Sequence, residues 1–449
     1  MGNCAFSKRS WFVLVLFGLI GQIAWSVENM YFNVFVFEKV APDLGAITLM
    51  VQLSGVAATV TTLIAGTLSD KIGNRRAFIA FGYIIWGVTV ALFGFCSAEN
   101  MAVVMNSEVS EVISFTLTLV IVGDCVMTFF GSSANDASFN AWVTDNTEQS
   151  YRGKVEGVLS VLPLIAMLIV AGGFGMLVEA IGYQTLFLAL GVVISACGVV
   201  GVFIVKDSPR LEKSGSFKDI VYGFKPSVVK NNPALYVALC VMGVYGIACQ
   251  IFMPYMIIYM QTYLGFTVIE YSVVFGLAIV LGAVVNLVLS RFTDRLNKAK
   301  LLYVALAVMS VGLACMFLSG FTADNKTLTL ITFGVSGFVM ITGYILVSAL
   351  TGAIVRDCTP EKDAGKLQGI RMVFSVLIPM LIGPMIGNAI NMLMNVPLPE
   401  SMAGSSVTMT TQYIPAPEIF LVGAVVSALA IAVVPVLVRL LAKNSPKAK

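Results

Sequence analysis

Val143–Gly157, VTDNTEQSYRGKVEG, returns later in the same chain as Val355–Gly369, VRDCTPEKDAGKLQG. Asp145 and Asp357, Thr147 and Thr359, Gly153 and Gly365, Lys154 and Lys366, and Gly157 and Gly369 coincide, and a similar apolar run follows each copy. A charged loop that recurs between apolar runs marks a duplicated bundle. Both copies fall on the same expected side of a membrane, so the duplication is parallel and its axis runs along the membrane normal. The fold this predicts is an all-α integral membrane protein whose twelve transmembrane helices form two six-helix bundles.

Composition points the same way. The chain of 449 residues is 58% hydrophobic and 11% charged, with a mean hydropathy of +0.93, far from the mixture of a soluble domain. Runs long enough to cross a ~30 Å hydrocarbon core are expected at 11–38, 46–68, 77–97, 111–140, 155–179 and 185–205. The second six are expected at 234–262, 268–290, 300–320, 327–353, 368–392 and 417–441. Residues 1–205 are then the first bundle, 206–232 a basic cytoplasmic linker with a short amphipathic middle, and 233–449 the second bundle. Of the 27 Lys and Arg, all but Lys39, Lys326 and Arg371 lie on the side bearing the termini. By the positive-inside rule both termini are cytoplasmic, in a multi-pass protein of the plasma membrane. The eight cysteines occur singly, without metal-binding spacing, and there is no histidine. No metal site and no cofactor is expected, and proton chemistry falls to carboxylates. Nothing suggests nucleic acid as a partner. The expected partners are the lipid bilayer and a small-molecule substrate, with the chain acting as a monomer.

Between helices 2 and 3 stands Gly66-Thr67-Leu68-Ser69-Asp70-Lys71-Ile72-Gly73-Asn74-Arg75-Arg76, with a degenerate copy, Ser290-Arg291-Phe292-Thr293-Asp294-Arg295-Leu296, between helices 8 and 9. The first resembles the signature of the major facilitator superfamily. Glycine permits a tight turn, and an aspartate can accept hydrogen bonds from N–H groups at a neighbouring helix N-terminus. Gly66, Asp70, Gly73, Arg75, Arg76, Arg152, Lys154, Asp294 and Arg295 are the expected cytoplasmic gate, with Asp70 its latch.

Helix 1 carries QIAWSVENMYFN, Gln22–Asn33. At 100° per residue Gln22, Ser26, Asn29 and Asn33 fall on one sector, with Trp25, Glu28 and Phe32 beside it. A carboxylate at membrane depth costs roughly 2.5 kcal/mol or more, so the stripe faces protein or water. Helix packing through amide hydrogen bonds would account for the amides, but not for the acid beside aromatic rings. Helix 4 repeats the spacing with Asp124, Thr128, Gly131 and Asn135, and Asp136 and Asn140 follow one sector over. In helix 7 the position of Glu28 is taken by Met253 and that of Asn29 by Pro254, and Ser336 stands in place of Asp124. The second bundle offers Gln250, Tyr255, Tyr259 and Arg371, so ion chemistry is expected in the first.

Within the superfamily, GQIAWSVENMYFNVF, DASFNAWVTDNT and RGKVEGVLSVLPL look most like the glycoside–pentoside–hexuronide:cation symporters, which include melibiose permease and sucrose transporters. That resemblance implies acids on helices 1 and 4 that bind sugar hydroxyls and the coupling cation, and an aromatic ring stacked on the sugar. Carried over, it implies Glu28 and Asp124 as those acids and Trp25 as the stacking ring. Together with the polar residues read above, Trp25, Glu28, Asn29, Asn33, Asp136, Asn140, Gln250, Tyr255 and Arg371 are the expected substrate-binding residues, and Asp124 and Glu28 the expected coupling residues. Helix 2, Ala46 to Leu68, departs from it by lacking the acids that bind sodium in such members, which favours a proton as coupling ion. The expected function is import of a sugar or glycoside by cation symport through alternating access. An exporter of amphipathic compounds is the alternative, suited by Met-rich and aromatic walls. An enzyme would need a nucleophile–base or metal constellation, and none is visible.

Overall fold

The computed structural model describes residues 7–148, 151–209, 220–293, 298–360, 364–399 and 413–444. Eleven helical stretches among them are long and apolar enough to span a membrane. Ten correspond to single helices. The remaining one, Lys154–Ile204, has 51 residues, roughly 75 Å of helix at 1.5 Å per residue, more than twice a bilayer core. Gly182, at φ +78° and ψ 160°, breaks it. A side chain would be strained there, and glycine lets helix 5 end and helix 6 begin without a loop. Twelve membrane helices result.

The chain divides into two compact units, described residues 7–209 and 220–444. In the first, helix 1 (Lys8–Lys39), helix 2 (Leu44–Ile72), helix 3 (Arg75–Phe93) and helix 4 (Val109–Asn146) precede the broken pair. Local signals set these ends. Asp43 caps helix 2, its Oδ1 accepting the N–H groups of Gly45 at 2.8 Å and Ala46 at 3.0 Å. Gly73, at φ 69°, ends the same helix in the left-handed conformation, and the Asn74 side chain then accepts the Ala77 N–H at 3.0 Å to start helix 3. Helix 3 crosses helix 6 almost backbone to backbone. A Cβ on Gly87 would stand 2.3 Å from the Gly191 carbonyl oxygen, and one on Gly191 2.4 Å from that of Gly87. Membrane helices gain little by burying apolar surface against each other, so close packing of small residues holds the crossing.

The second unit contains helix 7 (Pro233–Thr262), helix 8 (Val268–Leu289), helix 9 (Lys298–Thr322), helix 10 (Lys326–Cys358), helix 11 (Leu367–Met394) and helix 12 (Glu418–Ala442). Helices 9 and 10 are clamped by a reciprocal pair. Cβ atoms on Gly312 and Gly343 would meet the backbone nitrogens of Met340 and Met309, each at 2.4 Å. Leu235, Val241, Leu302, Leu306, Val347, Leu350 and Val434 form the core of this unit.

Two expectations change. Helix 3 stops at Phe93 rather than near 97. The chain then forms a short helix, Ala98–Met105, whose Ala98 packs with Ala41 and Ile113. Only part of 206–232 is a tether, because Tyr222–Phe224 and Pro226–Asn231 are helical and Val228 is buried in the second unit's core. The expected amphipathic middle of this linker lies largely outside the described residues.

Candidate functional site

Helix 1 is not a continuous α-helix. After Lys8–Val27 it passes through a π turn at Glu28–Phe32 and resumes at Asn33–Lys39. Helix 4 does the same, with Val109–Gly131, a π turn at Ser132–Phe139 and Asn140–Asn146. Such turns insert a residue into the helical register and often occur at functional sites. Helix 7 breaks at the position matching Glu28, where a 3-10 turn, Met253–Tyr255, surrounds Pro254. Proline there removes a backbone donor.

Glu28 and Asp124 are 7% and 2% exposed. The Thr128 hydroxyl donates to Glu28 Oε1 at 3.0 Å, the Ser54 hydroxyl to the same atom at 3.1 Å, and the two hydroxyl oxygens are 2.8 Å apart. Ser54, from helix 2, also stands beside the Asp124 carboxyl. Three mutual contacts thus join three oxygens, but the two hydroxyls hold only two protons. The ring closes fully when a third proton resides on the Glu28 carboxyl, which can then donate to one hydroxyl while accepting from the other. Glu28 Oε2 and Asp124 Oδ1 are buried without a hydrogen-bond partner. No ion pair among the described residues brings a Lys or Arg to either acid. Glu28, expected at both ligand and coupling ion, and Asp124, expected at the coupling ion, share the Ser54 hydroxyl.

Trp25 lies against Trp86 of helix 3, ring centroids 4.9 Å apart. Both cross helix 4 at Gly131, where a Cβ would be 2.7 Å from Trp86 and 2.9 Å from Trp25. Asp136 accepts the Ser132 hydroxyl at 3.0 Å and lies beside the Trp25 indole. The amides have backbone partners. Asn29 Nδ2 donates to the Trp25 carbonyl at 2.7 Å, Asn33 Nδ2 to that of Asn29 at 2.9 Å, and Asn140 Nδ2 to that of Asp136 at 3.0 Å. Asn33 is 1% exposed, so its place is within the helix packing. Asn135 is also structural. It donates to the Tyr83 hydroxyl, which donates to the Phe17 carbonyl, at 2.6 and 2.7 Å. Ser54 and Trp86 escaped the sequence reading, since a lone serine and a lone tryptophan in apolar helices carry no periodic signal.

In the second unit Gln250 lines a cavity of about 230 Å³ with Tyr245, Tyr344, Ser348, Thr351 and Ser375. The tyrosine rings are 6.1 Å apart, and their hydroxyls and Ser348 interact. No residue lining it is charged. Tyr255 does not line it. Its ring is fully buried, and its hydroxyl donates to the Pro384 carbonyl at 3.0 Å, joining helices 7 and 11. Tyr259 is buried among Tyr263 and Phe420, and Arg371 is exposed near the start of helix 11.

At the turn between helices 2 and 3, Arg75 is the hub. It is buried, pairs with Asp70, bonds Asp145 at 3.1 Å and donates to the Ser69 hydroxyl at 2.5 Å. Asp70 therefore receives a guanidinium in its own unit, where a helix N-terminus was expected. Arg76 holds Asp207 through its backbone N–H at 2.9 Å and the Val202 carbonyl through its side chain. Arg9 reaches the carbonyls of Ile204 and Phe203, and the Trp142 indole that of Lys206. These donors satisfy the carbonyls left open at the end of helix 6. Gly66 accepts the Ser69 hydroxyl at 2.9 Å, and Lys154 lies over the Tyr151 ring. The second unit repeats the hub in weaker form: Lys298 bonds Asp357, the counterpart of Asp145, at 2.7 Å. Asp294, Arg295 and the Arg152 side chain lie outside the described residues.

The family model of the Major Facilitator Superfamily matches residues 11–384. Among solved structures, a bacterial homolog of the human lysosomal transporter Spinster, inward-facing and unoccupied, aligns with a TM-score of 0.67 at 13% identity, over 99% of this chain and 100% of that one. A variant of the nucleoside transporter NupG aligns at 0.65 and 12% identity, over 95% and 99% of the two chains. At these identities the likeness shows the fold. No curated protein matches the sequence.

Proposed function

Because the chain belongs to the Major Facilitator Superfamily, a family of membrane transporters, we propose that it imports a neutral sugar or glycoside together with a proton by alternating access. The observation that carries this reading is the ring of Glu28, Ser54 and Thr128 beside Asp124. Two acids share a buried site, no base among the described residues neutralises them, and one proton closes the ring of hydrogen bonds at Glu28 Oε1. Burial away from water makes charge changes there energetically large, as a coupling site requires. Helix 2 contributes a hydroxyl and no acid, which favours a proton over sodium. The uncharged cavity of the second unit, with its tyrosines, serines, threonine and glutamine, suits hydroxyl groups. The basic residues on the side of the termini support both ends being cytoplasmic, and a plasma-membrane location belongs to the same proposal.

Reconstituted vesicles given a panel of labelled monosaccharides and glycosides test this reading. An inward proton gradient should drive accumulation of at least one of them above equilibrium. Asp124→Asn and Glu28→Gln should each abolish accumulation, and Asp124→Asn should retain exchange, which needs no net proton movement. Accumulation driven by sodium at fixed pH, or uptake of no member of the panel, would refute the reading.

A further inference from the structure

The π turns of helices 1 and 4 end alike. The residue after Glu28–Phe32 is Asn33, and the residue after Ser132–Phe139 is Asn140. The π turns of helices 5 and 11, Val170–Phe174 and Val373–Leu377, are followed by Gly175 and Ile378, which carry no side-chain donor. A helix returning from i+5 to i+4 pairing passes over one carbonyl, which is left for a side chain or water to satisfy. Helix 4 shows which one. The Asn140 N–H is directed at the carbonyls of Asn135 and Ala137, skipping Asp136, and the Asn140 side chain supplies the missing bond to Asp136 at 3.0 Å. In helix 1 Asn33 makes the same four-residue return to Asn29 at 2.9 Å.

We propose that Asn33 and Asn140 are positioning residues whose side-chain amides hold the π turns that aim Glu28 and Asp136. Reversion of a π turn to α-helix removes one residue from the register, so the two halves of the helix rotate by about 100° and shift by about 1.5 Å relative to each other. The outer half of helix 1 cannot follow. Val34, Phe35 and Val36 are each 1% exposed, and Phe35 is wedged among Phe93, Tyr183 and Phe187 at 5.5–5.6 Å. The half carrying Glu28 is itself packed through Val13, Leu14 and Phe17, and any share of the turn that it takes moves the carboxyl away from Ser54 of helix 2 and from Thr128 and Asp124 of helix 4. Glu28 and its geometry are those of the proton-coupling reading, on which this inference rests.

Infrared difference spectroscopy on the purified full-length protein in lipid, titrated with pH, follows protonated carboxyl groups without a transported ligand, and Glu28→Gln identifies the contribution of Glu28. Asn33→Leu should move the midpoint of that band by about one pH unit or more, a tenfold change in proton affinity. Asn33→Thr should restore it, because a threonine hydroxyl can also bond the carbonyl four residues back. If Asn33→Leu does not fold, Asn140→Leu and Asn140→Thr, read on the Asp136 band, decide in the same way. A Glu28 midpoint unmoved by Asn33→Leu, or moved and not recovered by threonine, overturns the inference. Failure of the coupling reading shows separately, as proton-driven uptake that survives Glu28→Gln.

Discussion

Gly21 sets how near helix 1 comes to helices 3 and 4. A methyl group there would stand 2.2 Å from Asn135 Nδ2 and 2.7 Å from the Tyr83 hydroxyl, breaking the relay that runs from Asn135 through Tyr83 to the Phe17 carbonyl. Gly21→Ala should destabilise the protein by about 1–3 kcal/mol, the usual range for overpacking, measured by thermal unfolding in detergent. Unchanged unfolding would mean that helix 1 can move outward freely. The same close approach limited what the sequence could tell. Asn135 stands on the helix 4 stripe with Asp124 and Thr128, yet its partner, Tyr83, comes from another helix with no pattern to announce it. Glu28 and Asp124 were legible because an acid in an apolar run is too costly to keep at membrane depth without a polar surrounding and a use. Ser54 was not, since small hydroxyl residues are as common in helix packing as in sites.

The turns between helices show duplication acting on whole elements. In the first unit a buried guanidinium, Arg75, ties the helix 2–3 turn to the end of helix 4 through Asp145. In the second, Lys298 ties the start of helix 9 to the end of helix 10 through Asp357, and both partners are largely solvated, at 36% and 57% exposure. Removing Arg75 leaves Asp70 and Asp145 near each other without their shared cation. Arg75→Ala should therefore lower stability by about 2–3 kcal/mol, somewhat less than for a fully buried pair because the acids are partly wet. Lys298→Ala should change it by less than about 1 kcal/mol. Equal losses in unfolding experiments on the two variants would contradict this asymmetry. The repeated aspartates were visible in the sequence. Their partners were not, because Arg75 and Lys298 are one position out of step in the aligned motifs and the pairing depends on the fold.

At the scale of the whole chain, each unit has its own core and its own glycine-mediated helix crossing. Residues 1–217 and 218–449, expressed as separate polypeptides, should each insert into the membrane and remain monodisperse in detergent, as judged by size-exclusion chromatography. Aggregation of either half would show that its core is incomplete alone. The twelve-helix plan was legible because span length, loop charge and an internal repeat are independent signals that agree. The helix 5–6 junction shows the limit: a single glycine at φ +78° replaces the expected loop, and one glycine in an apolar run does not announce a break. Buried membrane acids, Glu28 and Asp124, lie in the first unit, and a cavity with no charged lining residue lies in the second.

All four tryptophans, Trp11, Trp25, Trp86 and Trp142, belong to the first unit. Tryptophan emission, excited at the red edge where tyrosine does not absorb, is therefore a signal from one half only, against a second half that is dark in that channel. Within it, Trp25 and Trp86 lie close enough for their excited states to mix, and helix 1 carries one member of the pair just three residues from Glu28. Any turn of that segment changes the spacing or tilt of the two indoles and hence their coupled circular dichroism. The native chain thus carries an optical gauge of its acid cluster, with no dye attached.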